Sequence, residues 1–486
     1  MSESLIVIVV LSYFLLLFFV SNLTKGNSDN KTFFSGNKES PWYIVAFGMV
    51  GASLSGITFI SVPGDVGLIN LTYFQVVLGY LFGYFIVAFV LLPIYYKQNL
   101  TSIYEYLGDR FGKKSHMTGA FFFFVSRVLG AAFRLFLVAI VLQQFVFDSW
   151  GIPFEFTVII SILLIWIYTF RGGIKTVVWT DTLQTFLMIL SVILSIYYIT
   201  TSLDVGFFEF LNSDDFKSKS KIFITESILE KNHFLKSFVG GIFITICMTG
   251  LDQDMMQKNL TCKTLYDAQK NMLVFSFILV AVTFVFLILG TLLFTFAEKN
   301  DVLIPILNGR ESTDLLFPQI ALNSGLNIML SITFLLGLIA AAYSSADSAL
   351  TSLTTSFCVD FLEIEKKNES KQKKLRFYTH ILMSVFLIIV ILIYKNYLST
   401  SVIDSLLTVA GFTYGPLLGL FAFGIFTKHK INDHLSFFVC IISVLIVCVI
   451  YFNPEFLGGY KIGYELLPIN GLITFFGLYV IKKPTT

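Results

Sequence analysis

Thirteen apolar runs, separated by charged or turn-forming residues, occupy most of this 486-residue chain. A helix crosses the hydrocarbon core of a bilayer with about 20 apolar residues, and each run is long enough to do so. Only 13% of the residues are charged, whereas about 25% is typical of soluble domains, so the helices lack polar residues for a water-facing surface. The pattern predicts an all-α polytopic membrane protein with about thirteen transmembrane helices, numbered here in chain order as spans 1 to 13: 4–20, 42–63, 70–96, 116–147, 153–170, 176–201, 234–252, 271–297, 327–358, 376–396, 401–426, 434–452 and 465–481.

The distribution of Lys and Arg predicts the orientation of these spans. If the N-terminus lies outside, the segments expected on the cytoplasmic side hold 22 of the 33 Lys and Arg residues, Lys258 among them, and the opposite side holds nine. The positive-inside rule therefore predicts a multi-pass protein of the cell membrane with its N-terminus outside and its C-terminus in the cytoplasm. Span 1 lacks a basic n-region and a small-residue cleavage site, so we interpret it as an anchor and not as a signal peptide.

Several function classes lack their usual sequence signatures. The formal net charge is only +2, which does not suggest a nucleic-acid partner. No GxSxG, HExxH or His/Cys cluster is present, so we expect neither an enzyme nor a metal centre other than a sodium site. The chain also shows no repeated pore loop of a channel and no appended signalling domain of a sensor. A membrane transporter is the class that remains.

Spans 2 and 7 contain glycines and serines that an ordinary lipid-facing helix avoids. Span 2 includes the segment 48–58, and span 7 contains residues 239–241 near its start and ends with residues 249–252. Glycine costs about 1 kcal/mol in a helix, and free backbone groups in hydrocarbon cost several each. Interrupted helices at corresponding positions of two halves point to an inverted-repeat transporter with its site at the bilayer midplane. The alternative is that these small residues only permit close helix packing.

Span 9 carries a polar cluster next to three alanines. Four of its five residues from Ser344 to Ser348 are polar: Ser344, Ser345, Asp347 and Ser348. On a helix, residues three and four apart share a face, so hydroxyls and one carboxylate gather on one flank. Hydroxyl groups and exposed helix carbonyls are the oxygen ligands that sodium-coupled carriers offer to a monovalent cation.

Four ionisable residues lie clearly inside the predicted spans, and such residues are functional candidates by default. They are Arg127, Arg134, Asp181 and Asp347. The alternative interpretation is that the two arginines pair with the two aspartates as structural ion pairs.

Five sequence features, in order, resemble the sodium:solute symporter family, which includes sodium-coupled carriers of glucose, proline, iodide, vitamins and sialic acid. The resemblance runs from about residue 40 to about residue 430 and rests on residues 101–107 with 110–112, Gly172 and Gly173 with 178–181, 249–257, the polar span 9, and Gly411 with 415–419. It implies a LeuT-like inverted repeat of five plus five helices. The implied division of the chain is an N-terminal helix and cytoplasmic loop (1–41), a first repeat (42–201), an outer loop (202–233), a second repeat (234–426) and two peripheral helices (427–486).

The resemblance also implies a sodium site, built from the backbone carbonyls of Gly51, Leu54 and Ala341 and the hydroxyls of Ser344 and Ser345. Asp181 matches an acidic residue near the exit path of that ion. In family members with a second sodium ion, the matching ligands would be Asp181, Ser344 and Ser348. This chain departs from those members at Asp347, where they carry serine, and the extra carboxylate would either bind a second cation or accept a proton in its place.

The polar residues that the resemblance places around the substrate are like those with which sialic-acid symporters hold their ligand. Arg134 would grip a carboxylate, and Phe243 would stack on a sugar ring; the others are Ser53, Ser55, Thr58 and Gln75. We therefore expect a monomeric carrier that imports a small polar organic solute with sodium by alternating access and needs no cofactor besides the coupling ion. The solute is a carboxylated sugar such as sialic acid, or another organic anion; the alternative is a neutral sugar or polyol.

Overall fold

The computed structural model describes residues 3–24, 30–307, 309–395, 402–458 and 460–483. Its strands form one short antiparallel hairpin, β1 (Ile306–Leu307) with β2 (Arg310–Glu311). Its α-helices are α1 (Glu3–Thr24), α2 (Asn30–Ser35), α3 (Trp42–Ser53), α4 (Gly56–Ile69), α5 (Phe74–Ile86), α6 (Leu92–Gln98), α7 (Glu105–Arg110), α8 (Lys113–Leu142), α9 (Phe154–Ser202), α10 (Phe207–Asn212), α11 (Asp214–Lys219), α12 (Phe234–Thr245), α13 (Gln253–Asn259), α14 (Leu265–Lys299), α15 (Leu316–Asn323), α16 (Ile328–Ser356), α17 (Glu369–Tyr394), α18 (Val402–Phe426), α19 (Ser436–Phe452) and α20 (Leu466–Val480).

Within these described ranges, nine helical stretches are long and apolar enough to cross a bilayer, and α12 with α13 forms a tenth that is bent by 67°. Three further apolar helices are shorter: α3, α20 and the first part of α9, Phe154–Phe170. The all-α polytopic fold class is therefore confirmed, whereas the expected count of thirteen spans is not. Residue 396, at the end of span 10, and residue 401, at the start of span 11, lie outside the described residues.

Both expected helix interruptions are present. Helix α3 ends at Ser53, and α4 begins only at Gly56, because Leu54 (φ −76°, ψ 52°) and Ser55 (φ −54°, ψ 176°) are not helical. In span 7, a π-helical turn ends at Gly250, and the chain bends before α13. The carboxylate of Asp252 caps α13 by accepting a hydrogen bond from the backbone N–H of Asp254 at 2.8 Å.

The two adjacent glycines at the start of span 7 have a different role from the break at its end. A Cβ atom on Gly241 would lie 2.2 Å from the carbonyl oxygen of Val76, and one on Gly79 would lie 2.1 Å from that of Phe238. Helices α5 and α12 therefore touch backbone to backbone, as the close-packing alternative predicts for small residues. Close helix packing therefore explains Gly241, but it does not explain the break at residues 251–252.

Helix α9 contains both span 5 and span 6. It kinks at Gly173, whose φ of +52° is in the left-handed region that favours glycine, and a Cβ there would lie 2.6 Å from the Cα of Phe33. The second part of α9, Gly173–Ser202, packs along α3 and α16. This packing brings the broken span 2 and the polar span 9 to the same helix.

Candidate functional site

The end of α3 lies directly against α9 at Asp181. The hydroxyl of Thr185 donates to the carbonyl oxygen of Phe47 at 3.0 Å and to that of Asp181 at 2.7 Å. A Cβ atom on Gly51 would lie only 2.1 Å from this hydroxyl oxygen. Glycine at position 51 therefore lets the last turn of α3, with its free carbonyls, approach α9 closely.

Asp181 joins α9 to the polar cluster of α16. Its Oδ1 accepts a hydrogen bond from the Ser344 hydroxyl at 2.5 Å, and its Oδ2 accepts one from the Ser348 hydroxyl at 3.4 Å. All three side chains are fully buried. The structure thus brings together the three residues that the resemblance associates with a second cation.

Ser345 and Ala341 lie on α16 beside this cluster, and both are fully buried. The hydroxyl oxygen of Ser345 has no hydrogen-bond partner in the part of the chain that the structure describes. A buried hydroxyl without a partner is costly, and an ion or a water molecule bound there would supply the missing interaction. Helix α3 packs against α16, which places the carbonyl-bearing end of the broken span beside the helix that carries this hydroxyl.

Asp347, at which this chain departs from the family pattern, is also buried. Its Oδ2 accepts a hydrogen bond from the hydroxyl of Tyr168 at 2.8 Å, while its Oδ1 has no hydrogen-bond partner among the described residues. Tyr168 belongs to the first part of α9, so Asp347 connects α16 to span 5 and does not bond to Asp181.

Lys258, which the sequence analysis counted with a cytoplasmic loop, lies on α13 and is a buried residue of this site. Its ammonium nitrogen lies 2.8 Å from Asp181 Oδ2, and its side chain is 1% exposed. The bend at residues 251–252 directs α13 against α16 and α9, and Lys258 lies on α13. A signal was present, because Lys258 directly follows the motif 249–257, but hydropathy alone marked it as the charged end of a span.

The two buried arginines differ in their partners. Arg127 forms ion pairs with Asp254 and, at 3.9 Å, with Asp252, whose carboxylate also accepts a hydrogen bond from the hydroxyl of Tyr414. The interpretation that Arg127 pairs with Asp181 or Asp347 is therefore wrong, because α13 supplies the nearer acids. Arg134 is 8% exposed, makes no ion pair with any described acid, and its Nε has no hydrogen-bond partner there.

A cavity of about 100 Å³ lies between the break in span 2 and α12. Four of the expected substrate residues line it: Ser53, Ser55, Thr58 and Arg134. The sequence analysis did not include the other polar groups on its wall, which are Arg127, Tyr73, Tyr80, Tyr84, Thr245, Thr249 and Thr283. Its apolar wall comes partly from α18, through Ile403, Leu406 and Leu407.

Gln75 and Phe243, which were also expected at the substrate, do not line this cavity. The side-chain oxygen of Gln75 accepts a hydrogen bond from the backbone of Ile224 at 3.0 Å, and its nitrogen donates to the carbonyl of Asn232 at 3.1 Å. The folded-back loop 220–233 thus uses the amide group of Gln75, so the expectation that this side chain lies at the substrate cavity does not match the structure. Phe243 is partly exposed on α12, and its neighbours Ile244 and Thr245 face the cavity instead.

Comparisons with known proteins find relatives over most of the chain. Over 82% of this chain, it is 26% identical to the sodium/sialic acid symporter NanT of Aliivibrio fischeri, covering 77% of that protein. It is 25% identical to the sodium/sialic acid symporter SiaT of Proteus mirabilis, over 91% of this chain and 88% of that protein.

The fold matches two solved transporter structures. A Na⁺-coupled sialic acid symporter in its substrate-bound outward-open state superposes with a TM-score of 0.83 at 22% identity, covering 99% of both chains. The closed conformation of Mhp1, a nucleobase-cation-symport-1 family transporter, superposes with a TM-score of 0.55 at 14% identity, covering 93% of this chain and 94% of that one. These likenesses support the expected transporter fold.

The model of the sodium:solute symporter family matches residues 33–443, which is most of the chain. The match includes both broken spans, the Asp181 cluster and the cavity-lining arginines. The chain therefore belongs to the sodium:solute symporter family.

Proposed function

We propose that this carrier imports a carboxylated sugar, of which sialic acid is the leading candidate, together with sodium. The observation that carries the proposal is Arg134, a buried guanidinium on the wall of the cavity with no acidic partner among the described residues. A guanidinium forms two parallel hydrogen bonds to a carboxylate, and a buried cation without a counter-ion is unfavourable. A carboxylate in the cavity would accept these hydrogen bonds and would also be the counter-ion of Arg134.

The remaining cavity wall suits the rest of such a solute. Ser53, Ser55 and Thr58 offer hydroxyl groups beside the break in span 2, and Tyr73 and Tyr80 offer phenolic groups on the other side. The relatives NanT and SiaT are sodium/sialic acid symporters, which agrees with a carboxylated sugar. A neutral sugar or polyol is not favoured, because it would leave the charge of Arg134 without a partner.

For the coupling ion, we propose the carbonyls of Gly51, Leu54 and Ala341 and the hydroxyls of Ser344 and Ser345 as ligands. The helix ends at Ser53, so the Gly51 carbonyl lies in its last turn, where carbonyls lack intrahelical partners. The unpartnered Ser345 hydroxyl fits the same ion. Sodium bound there would hold α3 to α16 and so complete the adjoining cavity before the carrier turns inward.

The arrangement of the carrier in the membrane is part of the proposal. The excess of Lys and Arg in alternate loops supports an N-terminus outside and a C-terminus in the cytoplasm of a multi-pass protein of the cell membrane. A monomer in the lipid bilayer as the working unit is also part of the proposal.

Uptake of radiolabelled sialic acid into proteoliposomes under an inward sodium gradient tests the proposal. Hydrogen bonds to charged groups contribute about 1.5–3 kcal/mol, so Arg134→Ala should raise the KM for sialic acid roughly 10- to 150-fold. Arg134→Lys keeps the charge but loses the planar fork, and an intermediate KM is expected. Arg310→Ala, at an exposed position away from the cavity, is the matched control.

Two results would contradict the proposal. One is wild-type protein that takes up sialic acid equally well when choline replaces sodium. The other is an Arg134→Ala variant that keeps the KM of the wild type for sialic acid.

A further inference from the structure

We infer that sodium leaves the Asp181 cluster along a row of buried hydroxyls on α16, and that the segment from Thr32 to Ser40, here called the closing segment, blocks the cytoplasmic end of this path. The inference rests on the proposed sodium coupling and adds the exit route of the ion. The hydroxyls of the row belong to Ser344, Ser348, Thr351 and Thr355.

The four hydroxyls lie on one face of α16. Their spacing of four, three and four residues places them one above another on a helix, and all four side chains are fully buried. Ser348 donates to Asp181 Oδ2 at 3.4 Å, so the row begins at the cluster. The Thr351 hydroxyl has no hydrogen-bond partner among the described residues. An ion or a water molecule passing along this face would supply the missing interaction.

Gln257 joins the far end of the row to the closing segment. Its side-chain nitrogen donates to Thr355 Oγ1 at 3.0 Å and to the backbone carbonyl of Phe34 at 2.7 Å. The side chain is buried, and its oxygen has no partner in the part of the chain that the structure describes. Gln257 directly precedes Lys258, the ion-pair partner of Asp181, on α13. The polar path therefore runs from the cluster to the closing segment through buried residues.

The closing segment packs against the ends of the helices around this path. Phe33 and Phe34 are buried and contact Cys358, which follows α16. On α9, a Cβ atom on Gly173 would lie 2.6 Å from the Cα of Phe33. On α17, the guanidinium carbon of Arg376 lies 4.7 Å from the centre of the Phe33 ring. One short stretch of chain thus covers the ends of three helices.

The position of the closing segment is on the exit side of the cluster. Gly173 precedes Asp181 by eight residues on α9, which corresponds to about 12 Å of helix. Thr355 follows Ser344 by eleven residues on α16, which corresponds to about 16 Å. The proposed orientation places these ends at the cytoplasm. An ion that moves along the row therefore meets the closing segment, which must leave before the ion reaches water.

A disulfide that fixes the closing segment tests the inference. The backbone N–H of Ser40 donates to the carbonyl of Thr261 at 3.1 Å, and Ser40 pairs with Cys262 in an isolated β-bridge. Paired strands lie about 4.8 Å apart, within the roughly 4.4–6.8 Å that separates the Cα atoms of a disulfide. Oxidation of Ser40→Cys with copper phenanthroline should therefore bond the new thiol to Cys262, which mass spectrometry detects.

The readout is uptake of labelled sodium and sialic acid by the full-length protein in proteoliposomes. After oxidation, uptake by Ser40→Cys should fall about tenfold or more, because a carrier that cannot open its exit does not complete the cycle. Reduction with dithiothreitol should restore it. The matched control combines Ser40→Cys with Cys262→Ala, which leaves no partner thiol, so the oxidant should have no effect.

A second variant tests the hydroxyl row. Thr351→Val removes the hydroxyl without a partner and should lower kcat roughly 2- to 12-fold, since one interaction with the passing ion is lost. The sodium concentration for half-maximal uptake should stay unchanged, because the proposed binding site does not include Thr351. Thr333→Val is the control on the same helix, where the Thr333 hydroxyl donates to the carbonyl of Met329 at 2.8 Å.

Labelling of Cys358 gives a readout that does not depend on the solute. Its side chain is fully buried against Phe33 and Phe34, so a hydrophilic maleimide reaches it only when the closing segment leaves. Oxidation of Ser40→Cys should slow this labelling about tenfold or more, because the disulfide prevents local opening.

The outcomes separate the inference from the proposed function. An oxidised Ser40→Cys carrier that transports as fast as its reduced form overturns the inference, and so does labelling of Cys358 that oxidation does not slow. Failure of the disulfide to form would mean that the closing segment is not held against Cys262, which also overturns it. Wild-type turnover in Thr351→Val refutes the hydroxyl row as the path. If the wild type does not take up sialic acid but oxidation still slows Cys358 labelling, only the proposed solute is contradicted.

Discussion

Gly51 provides the sharpest test of whether the end of α3 forms part of the sodium site. A methyl group at this position would lie 2.1 Å from Thr185 Oγ1, far inside van der Waals contact. That hydroxyl is held by hydrogen bonds to the carbonyls of Phe47 and Asp181, so it cannot turn away without breaking them. Gly51→Ala must therefore move α3 away from α9 and draw the Gly51 carbonyl away from the proposed ion.

The size of the effect follows from the overlap. Inserting a methyl group into a well-packed interior costs about 1–3 kcal/mol. If this cost falls on the sodium-bound arrangement, the sodium concentration for half-maximal uptake should rise roughly 5- to 150-fold. Thr185→Ala removes the nearest clashing atom, so the double variant Gly51→Ala with Thr185→Ala should recover most of the lost affinity, a non-additivity expected of residues in contact.

The assay is sodium-dependent solute uptake by the wild type, both single variants and the double variant. Gly130→Ala is the control, because a Cβ there meets only Leu406 at 3.6 Å, an ordinary contact. Unchanged sodium affinity in Gly51→Ala would refute the assignment of this helix end to the ion. Equal losses in the single and double variants would show that contact with Thr185 is not the cause.

Two further predictions concern the polar helix and a carboxyl group outside the membrane-spanning segments. Ser345→Ala removes the hydroxyl without a partner and should lower the affinity for sodium about tenfold or more. The control Ser352→Ala should leave this affinity unchanged, since the Ser352 hydroxyl already donates to the Ala349 carbonyl at 3.1 Å. Equal sodium titrations of the two variants would count against the site. Burial, with Asp360 nearby, raises the pKa of Glu105 on α7 to about 7. The folded protein therefore holds this proton more tightly than the unfolded chain, and the stability it contributes is lost as the pH rises from about 4.5 through 7. Thermal unfolding in detergent should show a smaller loss of stability between pH 5 and pH 8 in Glu105→Gln than in the wild type, and identical pH profiles would contradict this.

The breaks and the polar helix were predictable because their signals are local. Glycines and serines around Leu54 are unfavourable in a continuous membrane helix, and the cluster from Ser344 to Ser348 is too polar to face lipid. Such features depend on the composition of one segment. The position of the second break was less clear, because Gly241 and Gly250 carry the same signal and only the bend of the chain distinguishes packing from interruption.

The partners of the charges were not predictable in the same way. Lys258 follows the end of span 7, in a stretch that also contains Asp252 and Asp254, where a lysine ordinarily marks the water interface, and only the 67° bend before α13 brings it to Asp181. The same bend brings Asp254 to Arg127. Gln75 likewise depends on a distant segment, because the loop carrying Ile224 and Asn232 folds over it. Tertiary packing determines these contacts, and it cannot be read from the spacing of residues along the chain.

The contact between Gly79 and Gly241 limits how this carrier can change shape. The main chains of α5 and α12 meet there without intervening side chains, so their contact is close and extends over the backbone of both helices. We expect α5 and α12 to move together during transport, and the changes that open the solute path to either side of the membrane to occur at other helix contacts.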